Sequence, residues 1–331
     1  MSEIVDRLGR RIDYARISVT DLCNHRCVYC MPPEGVSPLD HSEIMRYEEI
    51  TYLCGILAGM GIKKIRFTGG EPFVRKGMPD FLRDFRRALP DISLFVTTNG
   101  TLLSHFAESL AGLSLSGMNI SVDTLNPERF TDVTRVGNIR EVIGGVMAAC
   151  GFGIPSIKIN TVLIRGFNEM DMWDVLEFAW SVGAIPRLIE FMPLLDGAWE
   201  ARKFIGSSEI LEILGSRGRW SQARDGGRDG DAPSQASGPA VYYVNESDGK
   251  MVGIISAVSN HFCSSCNRLR ITASGYMRAC LFSTSERPLL HLIREGDSES
   301  IRDEILDCIG TKPDRWDKSR GGRRYMSRIG G

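Results

Sequence analysis

The sequence predicts an α/β fold in which six parallel strands form a partial barrel. Two observations lead to this prediction. Short β-type segments alternate with helical segments over about the first 200 residues, which is typical of repeated βαβ units. The predicted strands cover residues 15–20, 63–68, 93–98, 117–123, 156–164 and 186–192. In addition, one side-chain phase of these segments is polar, which is unusual for a parallel sheet covered on both faces.

The polar phase separates a partial barrel from an open sheet and from a filled barrel. Alternate residues of a strand face opposite sides. The residues of the polar phase are Arg16, Ser18, Thr20, Lys64, Arg66, Thr68, Asn119, Ser121, Asp123, Lys158 and Asn160. The interior of a filled eight-stranded barrel is mainly branched apolar side chains instead. We therefore expect helices on the outer face and a wet lumen lined with cations and amides.

Composition and charge narrow the class of protein. The 331 residues are 43% hydrophobic and 24% charged, as in an ordinary globular enzyme, and the net charge of -1 argues against a protein that coats nucleic acid. The N-terminus lacks the apolar stretch of a signal peptide, and no apolar run is long enough to cross a bilayer. The nine cysteines are an odd number. The sequence therefore predicts a reduced, cytoplasmic protein with no membrane or nucleic-acid partner.

One segment differs from the rest in composition. Residues 221–240 are rich in Gly, Ser, Asp and Ala and contain almost no large apolar side chains. Such a composition is typical of a linker. We therefore predict a barrel domain over residues 1–220, a flexible linker over 221–240 and a C-terminal domain over 241–331.

Glycines and polar residues cluster where the predicted strands end. The segments ISVT, IRFT, FVTT and NISVD run into DLCNHRCVYC, GGEP, NG and TLNP. In parallel α/β folds, the active site is built from loops at the carboxyl ends of the strands. The mouth of the barrel is therefore the predicted site.

The loop after the first strand carries three cysteines, Cys23, Cys27 and Cys30, at C-x3-C-x2-C spacing. Three thiolates can hold a cubane iron–sulfur cluster and leave the fourth iron open, and an open coordination position is reactive. Zinc is the competing metal, but it needs a fourth ligand, and His25 within the loop is badly placed to supply one. Helical spacing predicts core positions for three other cysteines: Cys54, Cys150 and Cys308.

The C-terminal part of the chain carries a second set of three cysteines at C-x2-C-x13-C spacing: Cys263, Cys266 and Cys280. Taken alone, this set fits a second cluster or a zinc site completed by His261 or His291. Arg268 and Arg270 flank the thiols with strand-like phase. Guanidinium pairs are suited to bidentate contact with phosphate or carboxylate, which favours a ligand-binding cluster.

Together these motifs resemble those of a known family. The C-x3-C-x2-C loop, with Tyr29 before its last cysteine, resembles the signature of the radical S-adenosylmethionine enzymes. Over nearly its whole length the chain resembles the GTP 3',8-cyclases, the molybdenum cofactor biosynthesis protein A family. The segments that carry the resemblance are RISVTDLCNHRCVYCMP, IRFTGGEP, TTNG, NISVDTL, KINTV, LIEFMP, GPAVYY, ISAVSNHFCSSCNRLR and the ending MSRIGG. His25, where an aromatic is common, and the segment 221–240 depart from the family pattern.

The resemblance implies a partial (β/α)6 barrel of the radical S-adenosylmethionine type with a C-terminal extension. It implies one 4Fe-4S cluster on Cys23, Cys27 and Cys30 and a second one on Cys263, Cys266 and Cys280. The residues implied to contact S-adenosylmethionine are Tyr29, Gly70, Ser121 and Met192. Those implied to bind GTP are Arg16, Arg66, Thr97, Lys158, Arg268 and Arg270, with Lys64 as a weaker candidate. The implied catalytic residues are Arg268, Arg270, Gly330 and Gly331.

The implied reaction converts GTP to (8S)-3',8-cyclo-7,8-dihydroguanosine 5'-triphosphate, the first step of molybdenum cofactor biosynthesis, and cleaves S-adenosylmethionine to 5'-deoxyadenosine and methionine. The sequence has no G-x4-G-K-[ST] loop, so side chains must bind the triphosphate. Arg16, Arg66 and Lys158 lie on the polar phase, which agrees with that role. The family also implies an electron donor and transfer of the product to cyclic pyranopterin monophosphate synthase. The sequence leaves monomer and homodimer open.

Two other functions compete with this one. Another two-cluster radical enzyme, acting on a peptide, would form 5'-deoxyadenosine whether or not GTP is present. A zinc-stabilised binding module would contain no iron. Neither alternative accounts for the combination of two cysteine sets, the Arg-x-Arg pair and the terminal glycines.

Overall fold

A mixed sheet organises the fold. The computed structural model describes residues 3–195, 198–223, 238–316 and 325–329. Its strands are β1 Tyr14–Ser18, β2 Lys64–Thr68, β3 Ser93–Thr98, β4 Gly117–Ser121, β5 Ile157–Leu163, β6 Ile185–Glu190, β7 Trp220–Gln222, β8 Val241–Asn245, β9 Met251–Ile255, β10 Arg268–Ile271, β11 Tyr276–Arg278 and β12 Arg287–Pro288. They lie in the order β12-β11-β10-β1-β2-β3-β4-β5-β6-β9-β8-β7.

The helices alternate with the first six strands and then follow the C-terminal strands. Their bounds are α1 Tyr47–Gly59, α2 Met78–Ala88, α3 Ala107–Leu110, α4 Pro127–Thr134, α5 Ile139–Cys150, α6 Met172–Ser181, α7 Ser207–Gly215, α8 Leu290–Glu295, α9 Ser298–Gly310 and α10 Met326–Ile329. Within the described residues, no helix combines the length and the apolar character needed to cross a membrane.

The six predicted strands are confirmed as β1 to β6, and each pairs in parallel with the next. Their apolar phase is buried against the helices. Ile17, Ile65 and Phe67, for example, have no exposed surface. Burial of such side chains stabilises a fold by roughly 1.5–3 kcal/mol each. The core therefore lies between the sheet and its outer helices, and the polar phase faces the other side.

The C-terminal part of the chain adds strands to both edges of this sheet. β9 pairs in parallel with β6, and β10 pairs in parallel with β1. β7 and β8 extend one edge and β11 and β12 the other, all antiparallel. Residues 224–237 of the predicted linker lie outside the described residues, so the domain boundaries stay a prediction.

The predicted core cysteines divide into two groups. Cys54 and Cys308 are buried, as predicted, but Cys150 is exposed, so that prediction was wrong. Helix α5 buries the stripe of Val142, Val146 and Ala149. Cys150 is one residue past this stripe, and one residue rotates a helix by about 100°. Its side chain therefore lies outside the buried face.

Candidate active site

The first cysteine set, Cys23, Cys27 and Cys30, lies in the loop that follows β1, and all three side chains are partly buried. Backbone hydrogen bonds fix this loop. The Cys30 N–H donates to the carbonyl of Cys27 at 2.9 Å. The Arg26 N–H donates to the carbonyl of Thr134 at the end of α4, also at 2.9 Å. The loop is therefore held by a neighbouring helix as well as by its own turn.

Gly69 and Gly70, at the carboxyl end of β2, pack against the backbone in front of the first cysteine set. The Gly70 N–H donates to the carbonyl of Thr20 at 2.8 Å. A Cβ atom on Gly70 would lie 2.2 Å from the carbonyl oxygen of Leu22, and one on Gly69 would lie 2.6 Å from that of Thr20. Only residues without a side chain permit this close approach. The glycine pair therefore positions the cysteine loop.

The surroundings of the first cysteine set disfavour free thiolates. Burial raises the pKa of Cys23 to about 12, and nearby Glu71 adds to this effect. Burial also raises the pKa of Cys30 to about 11, and it raises the pKa of Cys27 well above its usual range. Cys30 also raises the pKa of Cys23, and Cys30 and Cys23 both raise that of Cys27, because the thiols lie close together. Thiols of this kind become thiolates only when a metal neutralises them, which fits a metal-cluster ligand set rather than a cysteine nucleophile.

A cavity of about 240 Å³ opens next to this loop on the polar side of the sheet. We call it the cation cavity. Every predicted GTP-binding residue lines it: Arg16, Arg66, Thr97, Lys158, Arg268 and Arg270. Three predicted S-adenosylmethionine contacts line it as well: Tyr29, Ser121 and Met192. Gly70 is not among the described lining residues, so its contact with the cofactor stays a prediction.

Strand register brings three guanidinium groups to one side of the cation cavity. Arg16 on β1 lies beside Arg66 on β2 and beside Arg270 on β10. Arg268 is two residues before Arg270 on the same strand and therefore shares its face. Its guanidinium lies 4.8 Å from the ring centre of Phe262. The pairing of β1 with β10 thus joins the barrel to the second cysteine set.

Charge in the cation cavity is strongly one-sided. Among the described residues that line it, seven are lysines or arginines and one, Asp123, is a carboxylate. Burial, together with Arg187 and other cations, lowers the pKa of Lys158 to about 7. Burial raises the pKa of Tyr14, but Arg66 and its neighbours outweigh burial and lower this pKa to about 7. Such a site attracts an anion of high charge.

The second cysteine set, Cys263, Cys266 and Cys280, lines a smaller cavity of about 60 Å³. Met192, Arg268 and Arg270 line both cavities, which are therefore adjacent. Burial raises the pKa of Cys266, but Arg268 and Lys312 outweigh burial and lower this pKa to about 6. The second cysteine set thus opens onto the cation cavity and lies among cations.

Neither of the histidines proposed to complete a zinc site lies where it could act as a fourth ligand beside the second cysteine set. Neither His261 nor His291 is among the described residues that line its cavity. Nδ1 of His261 accepts a hydrogen bond from the Trp316 indole at 2.7 Å. In the part of the chain that the structure describes, no three His, Cys, Asp or Glu side chains are grouped tightly enough for one metal ion. The thiols instead surround a cavity.

Comparison with known proteins places these features in a family. The model of the radical SAM superfamily matches residues 17–179, and the model "Molybdenum Cofactor Synthesis C" matches residues 185–318. A GTP 3',8-cyclase of Pelotomaculum thermopropionicum is 40% identical over 98% of this chain and 99% of its own length. One of Desulforamulus reducens is 40% identical over 99% of this chain and 100% of its own length. The chain belongs to the GTP 3',8-cyclase family.

Solved structures independently support the fold of this member of the GTP 3',8-cyclase family. Streptococcus suis SuiB matches with a TM-score of 0.52 at 15% identity, over 63% of this chain and 47% of SuiB. The chain thus spans about half the length of SuiB. The SuiB structure with bound S-adenosylmethionine matches with a TM-score of 0.50 at 14% identity, over 63% of this chain and 45% of that one. At this identity the likeness concerns the fold alone.

The C-terminal segment of the family member contacts the first cysteine set. The Met326 N–H donates to the carbonyl of Cys30 at 3.1 Å, and Met326 lines the cation cavity. Arg328 donates to the carbonyl of Ser37 at 3.1 Å. The predicted catalytic residues Gly330 and Gly331 lie outside the described residues, and their role stays a prediction.

Tyr14 and Arg187 are among the residues of the cation cavity that sequence reasoning missed. Tyr14 accepts a hydrogen bond from Arg66 at 2.8 Å, and its position two residues before Arg16 on β1 would have indicated the same face. Arg187 donates to Oδ1 of Asn160 at 3.0 Å. Arg187 alternates with apolar residues in β6, so no polar phase signalled it. Lys64, the weaker candidate, lines the cavity too.

Proposed function

We propose that this chain is a GTP 3',8-cyclase that converts GTP to (8S)-3',8-cyclo-7,8-dihydroguanosine 5'-triphosphate in molybdenum cofactor biosynthesis. Its cofactors are two 4Fe-4S clusters and S-adenosylmethionine. One observation carries the proposal from the structure: the loop of the first cysteine set borders the cation cavity through Tyr29, and the smaller cavity at the second set shares Arg268 and Arg270 with it. That arrangement places two candidate metal sites next to an anion site. A reaction between a cofactor, a nucleotide and a reductant needs such sites close together.

The first cysteine set would hold the cluster that takes S-adenosylmethionine. When bound there, the cluster and S-adenosylmethionine supply the one-electron chemistry that yields 5'-deoxyadenosine and methionine. The chain contributes Tyr29, whose hydroxyl donates to Oδ2 of Asp123, and Ser121 on the adjacent strand end. We assign Tyr29, Ser121 and Met192 to the cofactor because they line the cavity between the cysteine sets.

The cation cavity would hold the triphosphate. A nucleoside triphosphate carries about four negative charges, and guanidinium groups bind phosphate oxygens in bidentate fashion. Arg16, Arg66 and Lys158 supply cations from three strands, and Arg268 and Arg270 supply two more beside the second cysteine set. This arrangement aims the guanine end of GTP at the second cysteine set, because the phosphates occupy the barrel side. Arg268 and Arg270 are then the residues that touch both ends of the substrate.

Three further assignments belong to this proposal. An external electron donor reduces the first cluster, and cyclic pyranopterin monophosphate synthase receives the product. The resemblance also implies a catalytic role for Gly330 and Gly331, which lie outside the described residues, and the contact of Met326 with the first cysteine loop is consistent with that role.

Anaerobic reconstitution followed by turnover with GTP, S-adenosylmethionine and a reductant tests the function. Two cubanes require about eight irons per chain. We expect that iron content, together with a cyclised product whose formation depends on GTP. Cys150→Ser is a matched control, because this cysteine is exposed and lies in neither set. A colourless zinc protein, or 5'-deoxyadenosine formation that ignores GTP, would contradict the proposal.

A further inference from the structure

Two buried cations lie behind the second cysteine set and outside the cation cavity. Lys312 is 2% exposed and Arg10 is 7% exposed. Neither is among the described residues that line the cation cavity or the smaller cavity at the thiols. Burying a cation costs several kcal/mol unless its donors and its charge find partners. The partners of these two residues indicate what they do.

The Lys312 ammonium joins two cysteine-bearing segments. It donates to the carbonyl of Arg268, two residues after Cys266, at 2.7 Å. It donates to the carbonyl of Ala279, one residue before Cys280, at 2.7 Å. The ammonium also lies close enough to Cys266 to lower the pKa of that thiol. One side chain thus fixes the spacing of two of the three thiols.

Arg10 holds the remaining cysteine-bearing segment. Its guanidinium donates at 2.8 Å to the carbonyl of Cys263 and at 2.8 Å to that of Pro313. Nε of Arg10 forms a buried ion pair with Asp6 at 2.5 Å. The tight turn from Asp6 to Arg10 is closed by the Gly9 N–H, which donates to the Asp6 carbonyl. Arg10 therefore ties the N-terminus to Cys263 and to the segment that carries Lys312.

The two cations differ in how their charge is balanced. The carboxylate of Asp6 neutralises Arg10 directly. Among the described residues, Lys312 forms no ion pair with a carboxylate, and its ammonium lies on the carbonyls of Arg268 and Ala279, next to the thiols. A cation and a hydrogen bond beside cluster sulfurs favour the reduced, more negative cluster, since net charge and hydrogen bonds to sulfur set the potential.

We propose that Lys312 is a positioning residue of the second cysteine set that raises the reduction potential of the cluster bound there, whereas Arg10 fixes the geometry of the site alone. The inference rests on the proposed assignment of Cys263, Cys266 and Cys280 to a 4Fe-4S cluster. Lys312 supplies positive charge that the cysteine ligands themselves lack. Arg10 is already paired with Asp6, so it adds little net charge and only holds the Cys263 segment in place.

The test compares full-length, anaerobically reconstituted variants by iron content and by redox titration followed by electron paramagnetic resonance. Lys312→Met removes charge and donors, and Lys312→Arg keeps the charge. We expect Lys312→Met to move one of the two midpoint potentials to a more negative value and to leave the other unchanged. In Lys312→Arg, both potentials should stay close to those of the wild type. Lys76→Met is the matched control, because Lys76 is exposed, and it should change neither potential.

Arg10→Met provides the contrasting variant. We expect both midpoint potentials to stay in place while a chelator removes iron from one cluster several-fold faster than in the wild type. Unchanged potentials in a Lys312→Met protein that keeps both clusters would overturn the inference. If Lys312→Met loses one cluster, Lys312→Arg decides: recovery of the iron supports the inference and continued loss overturns it. Wild-type protein with only one cluster would instead contradict the proposed function.

Discussion

The first and second cysteine sets have the same number of thiols but different charged neighbours. Burial and the acidic side chains Glu71 and Asp123 raise the thiol pKa values in the first set. In the second set, burial raises the pKa of Cys263, but Arg268 and Lys312 lower that of Cys266 to about 6 in spite of burial. The chain thus places two cysteine sets of one composition in different electrostatic surroundings.

This difference indicates how one fold can give two clusters different reduction potentials. Acidic and apolar surroundings disfavour added negative charge, so a cluster in the first set becomes a stronger reductant once it accepts an electron. Cationic surroundings stabilise negative charge, so the second set suits a nucleotide and a cluster that is easier to reduce. The cation cavity lies between the two and shares residues with the second set.

Removing one set at a time is expected to have the largest effect. Replacing Cys23, Cys27 and Cys30 with Ala should abolish cleavage of S-adenosylmethionine. Replacing Cys263, Cys266 and Cys280 with Ala should abolish cyclisation but leave slow cleavage. Even partners outside the ligand shell of a metal are commonly worth about 10 to 100-fold, so losing ligands should cost more. Iron analysis and quantification of 5'-deoxyadenosine measure both effects. Equal cleavage in the two variants would show that the sets are not specialised.

Gly70→Ala should damage the first set selectively. The new Cβ would lie 2.2 Å from the Leu22 carbonyl oxygen, so the cysteine loop must move. Overpacking of this kind costs about 1–3 kcal/mol. We expect about half the iron to be lost, with the second cluster retained, as measured by iron content and Mössbauer spectroscopy.

Gly55→Ala is the control for this substitution. A Cβ on Gly55 meets no atom within 4 Å, and the residue lies inside helix α1. This change should raise the free energy of unfolding by roughly 0.5–1 kcal/mol and keep all the iron. Full iron in Gly70→Ala would contradict the role given to the glycine pair.

Arg187→Met should weaken GTP binding without disturbing either cysteine set. Arg187 is 6% exposed, lies in the cation cavity and donates to Asn160. A charge-assisted hydrogen bond contributes about 1.5–3 kcal/mol, so Kd should rise about 10 to 100-fold. Equilibrium binding of GTP to the reconstituted protein measures this change. Arg202→Met is the control, because that side chain is 80% exposed, and it should bind GTP normally. Unchanged affinity in Arg187→Met would remove it from the GTP site.

The smallest effect is a pH dependence of GTP binding. Burial and neighbouring cations lower the pKa of Lys158 to about 7, so at pH 8 it is mostly neutral without an anion. A bound triphosphate favours the charged form, so binding takes up a proton and affinity falls as pH rises above 7. One linked proton changes affinity by at most about tenfold per pH unit. Tyr14, with its pKa lowered to about 7, acts in the same direction.

Calorimetry at pH 8 in two buffers with different ionisation enthalpies measures this proton uptake. Lys158→Met and Tyr14→Phe should each reduce it, and the double variant should reduce it most. The outcome that contradicts this prediction is undiminished uptake in the double variant.

The sequence was sufficient to predict the six parallel strands and several strand residues that line the cation cavity from β1, β2 and β5. Alternating phase in β1, β2 and β5 predicted that Arg16, Arg66 and Lys158 would share a face, because strand geometry has a fixed period of two. Spacing also indicated both cysteine sets as candidate metal ligands, and the family resemblance implied a cluster on each. These features depend on local patterns that a sequence displays directly.

Other features depend on long-range pairing. Arg187 shares its phase of β6 with apolar residues, and only the sheet order brings it to the cation cavity. The contact of Arg10 with Cys263 joins residues 253 positions apart. The exposure of Cys150 depends on which stripe of α5 packs against the sheet. No local pattern contains this information.

The most direct test of the central comparison is the midpoint potential of each cluster in isolation. Full-length proteins that lack one cysteine set or the other can each be titrated by electron paramagnetic resonance under anaerobic conditions. The electrostatic difference predicts a more negative potential for the cluster on Cys23, Cys27 and Cys30 than for the cluster on Cys263, Cys266 and Cys280. Equal potentials, or the reverse order, would contradict the account.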